Sequence, residues 1–194
     1  MFKKELRKKY KALRQELTAD EIEAKSLAIA NRLLELDATV WSKTYFHLFL
    51  SIEEQKEVDT EFILQILAGK DKDIVVAKSH FETRQMTHYL LTDNTKFQKN
   101  EYNIYEPVDG IEVPTSKIEV VFVPLLAYDT KGNRVGYGKG FYDIFLAQCS
   151  QETLKIGLSF FEPEDLIDDV FEADVTLDYC VTPEKVYNFQ PLFS

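Results

Sequence analysis

The sequence predicts an α/β layered fold, with helices packed on a mixed or mostly parallel sheet. Three observations carry that expectation. Short apolar runs rich in β-branched and aromatic residues recur along the chain, as buried strands require. Stretches with helical spacing of apolar residues lie between them, the interleaving from which parallel sheets are built. A glycine cluster, Gly136 to Gly140, joins a strand-like run to a helix-like one, and α/β sheets bind ligands at such junctions.

With 194 residues and a prior of about 150 residues per domain, residues 1–194 read as a single domain. Residues 1–36 read as an N-terminal helical pair packed on it. A chain of this size buries roughly 70% of its unfolded surface, so it needs no disulfide or metal staple. Hydrophobic residues make up 45% and charged residues 29%, as in ordinary globular proteins. Only 7 glycines and 6 prolines are present, which sets aside collagen-like, linker-rich and disordered chains. Cys149 and Cys180 form neither a CxxC pair nor a ligand cluster, and they read as two reduced thiols of a cytoplasmic protein. No apolar run approaches the 18 or so residues of a membrane span. The chain is charged from Lys3 onward and has no apolar signal core.

The charge is uneven. The net charge is −10, which speaks against a general nucleic-acid binder. Residues 1–17 nevertheless hold Lys3, Lys4, Arg7, Lys8, Lys9, Lys11 and Arg14 against Glu5 and Glu16. That surplus of five leaves −15 on the remainder. A basic end on an acidic body is expected to meet an anion. Candidates are a nucleotide phosphate, a nucleic acid, a membrane surface or the chain's own acidic face.

The elements follow in order. Phe2, Leu6, Leu13 and Leu17, with Tyr10 between them, fall on one side of a first helix. Lys3, Arg7, Lys11 and Arg14 form a cationic stripe beside them. By periodicity alone that stripe is a solvated face. Thr18 and Glu21 have the spacing of a capping box, and the second helix runs to about Leu36 with Ile22, Ile29, Leu33 and Leu36 on its apolar face. Thr44 to Leu50 reads as a buried strand. A third helix carries Phe62, Ile63, Ile66 and Leu67, begins at Asp59 or Thr60 and ends at Gly69. Asp73 to Ala77 and Met86 to Leu91 read as strands, and residues 92–117 as turns. Ile118 to Leu126 is the clearest buried strand. Asp129 to Gly132 is a turn, Phe141 to Gln148 a helix, and Leu154 to Ser159 and 175–181 are strands.

The glycine cluster carries the chemistry. Glycines let a backbone approach a phosphate and turn several N–H groups toward it. The helix start behind them adds a positive dipole. Lys139 can supply a mobile cation and Arg134 a forked one. Asp143, one turn on, can hold a divalent cation that bridges phosphate oxygens. The spacing is neither GxGxxG nor a P-loop. A glycine-rich connection alone is more often a tight turn, and the combination of Arg134, three glycines, Lys139 and Asp143 at a strand–helix junction brings a phosphate cradle level with it.

Val123 to Asp143 (VPLLAYDTKGNRVGYGKGFYD) resembles the signature of the 5-formyltetrahydrofolate cyclo-ligase family. Other segments agree in order. These are Lys3-Lys4-Glu5-Leu6-Arg7, Leu50-Ser51 with Glu57 to Thr60, Tyr102 to Pro107, and Asp174 with Asp178 to Pro183. The stretch from Ser51 to Glu57 is longer than the family usually shows, Phe141 stands where tyrosine is common, and Ala173 where histidine is. The resemblance implies a three-layer Rossmann-like fold related to the sugar-phosphate isomerase and CoA-transferase superfamily. It implies ATP-dependent closure of 5-formyltetrahydrofolate to 5,10-methenyltetrahydrofolate, with ADP and phosphate released. The reduced folate and ATP are then the expected partners, and nucleic acid, a membrane and a second copy of the chain are not.

By the same resemblance, Lys3, Arg7, Arg134, Val135, Gly136, Tyr137, Gly138, Lys139, Gly140, Phe141 and Tyr142 meet ATP. Leu50, Glu57, Tyr102 and the segment Tyr137 to Phe141 meet the folate. Asp143 and Asp174 hold Mg²⁺, and Lys139 and Arg134 serve catalysis. Lys11 and Arg14 read as surface. Taken without the resemblance, Glu57 is a first-turn acid favoured by a helix dipole, Tyr102 a packing aromatic and Asp174 unremarkable. His47 reads as a hydrogen-bonded core residue, His80 and His88 have no assigned role, and Asp165, Asp168 and Asp169 read as solvated. Two rivals stay open: another small phosphoryl-transfer enzyme on this scaffold, and a non-catalytic anion-binding module led by the basic helix.

Overall fold

The computed structural model describes residues 1–192. Its centre is a sheet in the order β11-β10-β9-β6-β1-β2-β3. The strands are β1 (Tyr45–His47), β2 (Asp73–His80), β3 (Gln85–Leu90), β6 (Val120–Pro124), β9 (Leu154–Leu158), β10 (Tyr179–Val181) and β11 (Val186–Asn188). The five inner strands run parallel, and β3 and β11 close the two edges antiparallel. Two small hairpins stand outside the sheet, β4 (Phe97–Lys99) with β5 (Tyr105–Pro107), and β7 (Ala127–Tyr128) with β8 (Arg134–Val135).

Strand alternation builds three layers. Val120 and Phe122 face one side with Phe46 and Ile156, under α2 (Ala19–Leu33), α3 (Ala38–Trp41) and α4 (Glu61–Gly69). Val121 and Val123 face the other side with Val75 and Cys180, under α5 (Phe141–Gln148). Gly157 lies between Leu125 and Leu177, where an added Cβ would come within 2.7 Å of a Leu125 methyl carbon. The helix α1 (Lys3–Gln15) packs instead on the β7–β8 hairpin, through Leu6 and Tyr10 against Leu126, Ala127 and Val135. Thus α1 and α2 rest on different apolar clusters. No helix among the described residues is long and apolar enough to cross a membrane.

The topology also places a crevice. From β1 the chain crosses to β2 on one side, and β6 later pairs on β1's other side. The connections after β1 and β6 therefore diverge at their carboxyl ends, where open α/β sheets bind ligands.

Local chemistry explains several boundaries. Thr18 and Glu21 form the expected reciprocal capping box. Asp129 is fully buried; its carboxylate accepts from the Lys131 and Asn133 backbone N–H groups, the Asn133 side chain and the Ile167 N–H. It thereby holds the β7–β8 turn, which Gly132 completes at φ +84°. Other expectations shift. The left-handed residue after α4 is Asp71 at φ +56°, and not Gly69. The turn-rich stretch 92–117 contains the β4–β5 hairpin, and β11 carries no periodic signal in three residues. Phe2 is 55% exposed, so the apolar stripe of α1 is narrower than its spacing suggests. Asp169 is more than solvated surface, because its carboxylate accepts from the Lys3 backbone N–H at 2.7 Å and caps α1.

His47 and His88 meet inside this scaffold, with Nε2 of the first 3.1 Å from Nδ1 of the second. Both rings lie against Phe145. Burial, and then the neighbouring imidazole, push His47 well below its usual range, and burial brings His88 down to about 4. Both rings are therefore neutral in the fold and protonate more readily when unfolded. Their stabilisation is whole above the unfolded value of about 6.5 and drains as pH falls toward the folded one. Between about pH 7 and pH 5, His88 alone should remove roughly 2 kcal/mol from the unfolding free energy. Urea melts at the two pH values measure this, and His88→Phe should flatten the dependence. An equal slope in that variant would mean that the pair is solvated.

Candidate active site

The loop Gly136 to Gly140 runs from the end of β8 to the start of α5, and α1 lies across it. The Arg7 Nε donates to the Gly136 carbonyl at 2.9 Å. Gly138 has φ +93°, and a Cβ there would sit 3.2 Å from the Arg7 guanidinium carbon. A side chain at 138 would thus be strained and would displace Arg7. Gly140, at φ +77°, caps α5.

Ion pairs gather on one side of the loop. The Arg134 side chain is 6% exposed, and its NH2 donates to Asp143 Oδ1 at 2.6 Å. The same oxygen accepts from the Val175 N–H at 3.2 Å, which brings Asp174 into the neighbourhood. Lys3 is buried and pairs with Asp174 Oδ2. Its Nζ also lies 4.8 Å from the Phe171 ring centre. Burial pushes the Asp174 carboxyl up, but hydrogen bonds from Lys3 and the Phe171 N–H outweigh it and hold the group below its ordinary range. Burial lowers Arg134 as well, and the charges of Asp143 and Asp174 oppose that. Its Nε is buried with no partner among the described residues. Val135 is buried beneath α1, and Tyr142 packs against the apolar group that holds Val121, Val123 and Phe145.

Other contacts of the loop are with aromatic rings and with one buried acid, Glu57. Glu57, 5% exposed, accepts from the Tyr137 hydroxyl at 2.8 Å and the Ile52 N–H at 2.7 Å. Burial raises its pKa, against the pull of those bonds and of Arg14. Tyr102 lies on Phe81 with ring centres 4.1 Å apart, and Phe141 meets Phe81 edge-on at 5.2 Å. The Lys139 Nζ sits 4.8 Å from the Tyr102 ring centre and 5.1 Å from that of Phe81. Beside these rings, a cavity of about 560 Å³ opens between the β2–β3 turn and the β4–β5 hairpin. Leu50, partly buried, leads out of β1 toward Ser51, whose hydroxyl donates to the Val58 carbonyl.

The fold therefore brings Lys3, Arg7, Glu57, Tyr102, Arg134, Asp143 and Asp174 to this loop or to its immediate partners, whereas Leu50 is placed only by its position after β1. Two details add to the sequence reading. Lys139 lies over the Tyr102 and Phe81 rings, on the side where the resemblance puts the folate, and Arg134 binds Asp143 within the protein. Three neighbours were not foreseen. Phe81 sits in an ordinary turn, and Arg84, at φ +59° in the same turn, brings its guanidinium up to Gly140. Arg14, expected at the surface, is 4% exposed. It shares the buried face of α1 with Lys3, Leu6 and Tyr10. The i, i+4 step from Tyr10 was the signal that could have found it.

A family model described as the 5-formyltetrahydrofolate cyclo-ligase family matches residues 1–183. The chain belongs to that family. A mouse 5-formyltetrahydrofolate cyclo-ligase is 30% identical over 156 residues, covering 77% of this chain and 75% of its own. The Escherichia coli K12 enzyme is 27% identical over 182 residues, 91% of this chain and 97% of its own. An NMR structure of Aquifex aeolicus 5,10-methenyltetrahydrofolate synthetase superposes with a TM-score of 0.83 at 28% identity, covering 100% of this chain and 96% of the other. The cyclo-ligase reaction is the ATP-dependent cyclisation of 5-formyltetrahydrofolate to 5,10-methenyltetrahydrofolate. The three-layer α/β architecture expected from the sequence is the one found.

Proposed function

We propose that the two sides of the glycine loop divide this reaction between them, with nucleotide on the ion-pair side and folate on the aromatic side. The observation that carries the reading is Arg7 lying across Gly138, with the Lys3–Asp174 and Arg134–Asp143 ion pairs in one set of contacts and the Glu57–Tyr137 and Phe81–Tyr102–Lys139 contacts in others. The formyl oxygen on N5 attacks the γ-phosphorus and ADP departs. N10 then attacks the formyl carbon and loses its proton, and the former formyl oxygen leaves in phosphate. An amide-like oxygen is a poor leaving group, and phosphorylation makes it a good one. Such a transfer demands mainly alignment and charge neutralisation.

Lys3, Arg7 and Arg134 neutralise the triphosphate, and the backbone from Val135 to Tyr142 cradles it. Lys139, over the Tyr102 and Phe81 rings, covers the charge that develops on the transferred phosphoryl group. Leu50, Glu57 and Tyr102, with Tyr137 to Phe141, orient the folate.

The carboxylates suit a magnesium ion. Asp143 Oδ2 and Asp174 Oδ1 accept no hydrogen bond from the described residues, while their partner oxygens are held by Arg134 and Lys3. No three metal-ligating side chains converge among the described residues, which agrees with an ion that completes its shell from phosphate and water. Bound there, Mg²⁺ would neutralise phosphate charge. Asp174→Ala should raise the magnesium concentration needed for half-maximal rate. An unchanged titration would remove Asp174 from the metal site.

We further propose one domain acting as a cytoplasmic monomer on small molecules. Two free thiols support a reducing compartment, and the acidic body supports ATP and folate over a nucleic acid. The deciding experiment follows near-ultraviolet absorbance of the methenyl product with 5-formyltetrahydrofolate and MgATP. Growth that needs both substrates supports the reading. ADP formation without folate would favour another phosphoryl-transfer enzyme on this scaffold.

A further inference from the structure

Arg14 lies in the last turn of α1, far from the ion-pair side, and the division of the loop gives it no role. Yet it is buried and fully engaged. NH2 donates to the Leu125 carbonyl just beyond β6 at 2.5 Å, and NH1 donates to the Tyr137 hydroxyl oxygen at 2.8 Å. NH1 also reaches the Gln55 carbonyl at 3.4 Å, in the segment before Glu57. One guanidinium thus ties α1 to the connections after both β1 and β6.

The direction of these bonds matters. A guanidinium only donates, whereas a tyrosine hydroxyl both donates and accepts. With its oxygen occupied by Arg14, the Tyr137 hydroxyl must send its hydrogen to the other neighbour, Glu57 Oε1. The Ile52 N–H holds Oε2. Each carboxylate oxygen keeps a free acceptor site. A 2-amino-4-oxopterin presents two adjacent N–H donors on one edge, the complement of such a carboxylate.

We propose that Arg14 is a positioning residue for the folate side of the reaction, fixing the Tyr137 hydroxyl so that the Glu57 carboxylate stays aligned for the pterin edge. The proposal rests on Glu57 meeting the folate. The groups facing Glu57 are Arg14 from α1, Tyr137 from the glycine loop and Tyr142 from α5. Arg14 is the cation among them. Its removal raises the Glu57 pKa further, so less carboxylate remains as pH falls.

The test measures KM for 5-formyltetrahydrofolate and for ATP across pH, in wild type, Arg14→Met, Arg14→Lys, Tyr137→Phe and Glu57→Gln. Arg14→Met should raise the folate KM roughly ten- to a hundredfold, the scale of one lost charge-assisted hydrogen bond. The ATP KM should stay put. The acid limb of kcat/KM for folate should move to higher pH, and Arg14→Lys, which keeps the charge, should restore that limb in part. Tyr137→Phe keeps the bond to Leu125 and should reproduce the folate effect, so the proposal remains testable if Arg14→Met does not fold. The double variant should be no worse than the worse single one.

Equal losses for both substrates with an unmoved acid limb would reduce Arg14 to a structural strut and overturn the proposal. So would strict additivity in the double variant. Glu57→Gln separates the two levels. If it leaves the folate KM unchanged, the folate reading of Glu57 fails. If it raises that KM while the Arg14 and Tyr137 variants do not, the positioning proposal alone fails.

Discussion

Lys139→Ala is expected to cut turnover at saturating folate and MgATP by roughly 10²–10³-fold, the range for losing one preorganised charge partner of a transition state. The side chain is flanked by Gly138 and Gly140 on an exposed loop, so nothing in the fold depends on it. Its Nζ lies over the Tyr102 and Phe81 rings, on the side proposed for the folate. In the proposed reaction, negative charge moves toward that side when the formyl oxygen takes the phosphoryl group. A lysine on a flexible stem can follow it, and alanine cannot. Thermal melting should be unchanged, which separates this loss from unfolding. Wild-type kinetics would exclude Lys139 from the reacting centre.

Arg134→Met should abolish most activity, by about 10³-fold on the scale of a lost arginine in phosphoryl transfer, and should also weaken the fold. Its partner Asp143 has a side chain 31% exposed. Breaking a buried pair costs about 3–5 kcal/mol, and solvent at Asp143 reduces this to roughly 2–3 kcal/mol. For a chain of this size, the melting temperature should fall by about 5–10 °C. Arg134→Met/Asp143→Leu removes the stranded charge. It should recover stability and leave the enzyme inactive, because in the proposed reading Arg134 serves the phosphate and Asp143 the metal. A double variant that regains turnover would show the pair to be structural only.

Some of this was open in the linear chain. The near-continuous apolar run from Ile118 to Leu126 marks a strand buried on both faces, and the Thr18–Glu21 box marks a helix start, because both depend on neighbours in sequence. Asp129 and Gly132 mark their turn for the same reason. The 21-residue run from Val123 to Asp143 carries the family resemblance because the glycine backbone, its cations and an acid lie within one loop and one helical turn. The direction of a side chain on that loop is a different matter. Lys139 faces Tyr102 and Phe81, which arrive from two other hairpins, and no spacing in the sequence shows where those hairpins fall.

Arg14 illustrates the same division. Its position on α1 is a sequence property, and the basic stripe makes it look solvated. Its burial depends on whether the far end of the helix meets an acceptor. The Leu125 carbonyl and the Tyr137 hydroxyl lie 111 and 123 residues away, and only packing of α1 on the β7–β8 hairpin brings them there. By itself, then, the sequence determined the layered fold, the glycine loop and the family, because periodicity, caps and turn residues act over a few positions. Tertiary structure decided which charges are paired and how the buried acid is held. Those outcomes depend on desolvation and on partners supplied by distant segments, and neither is written in local spacing.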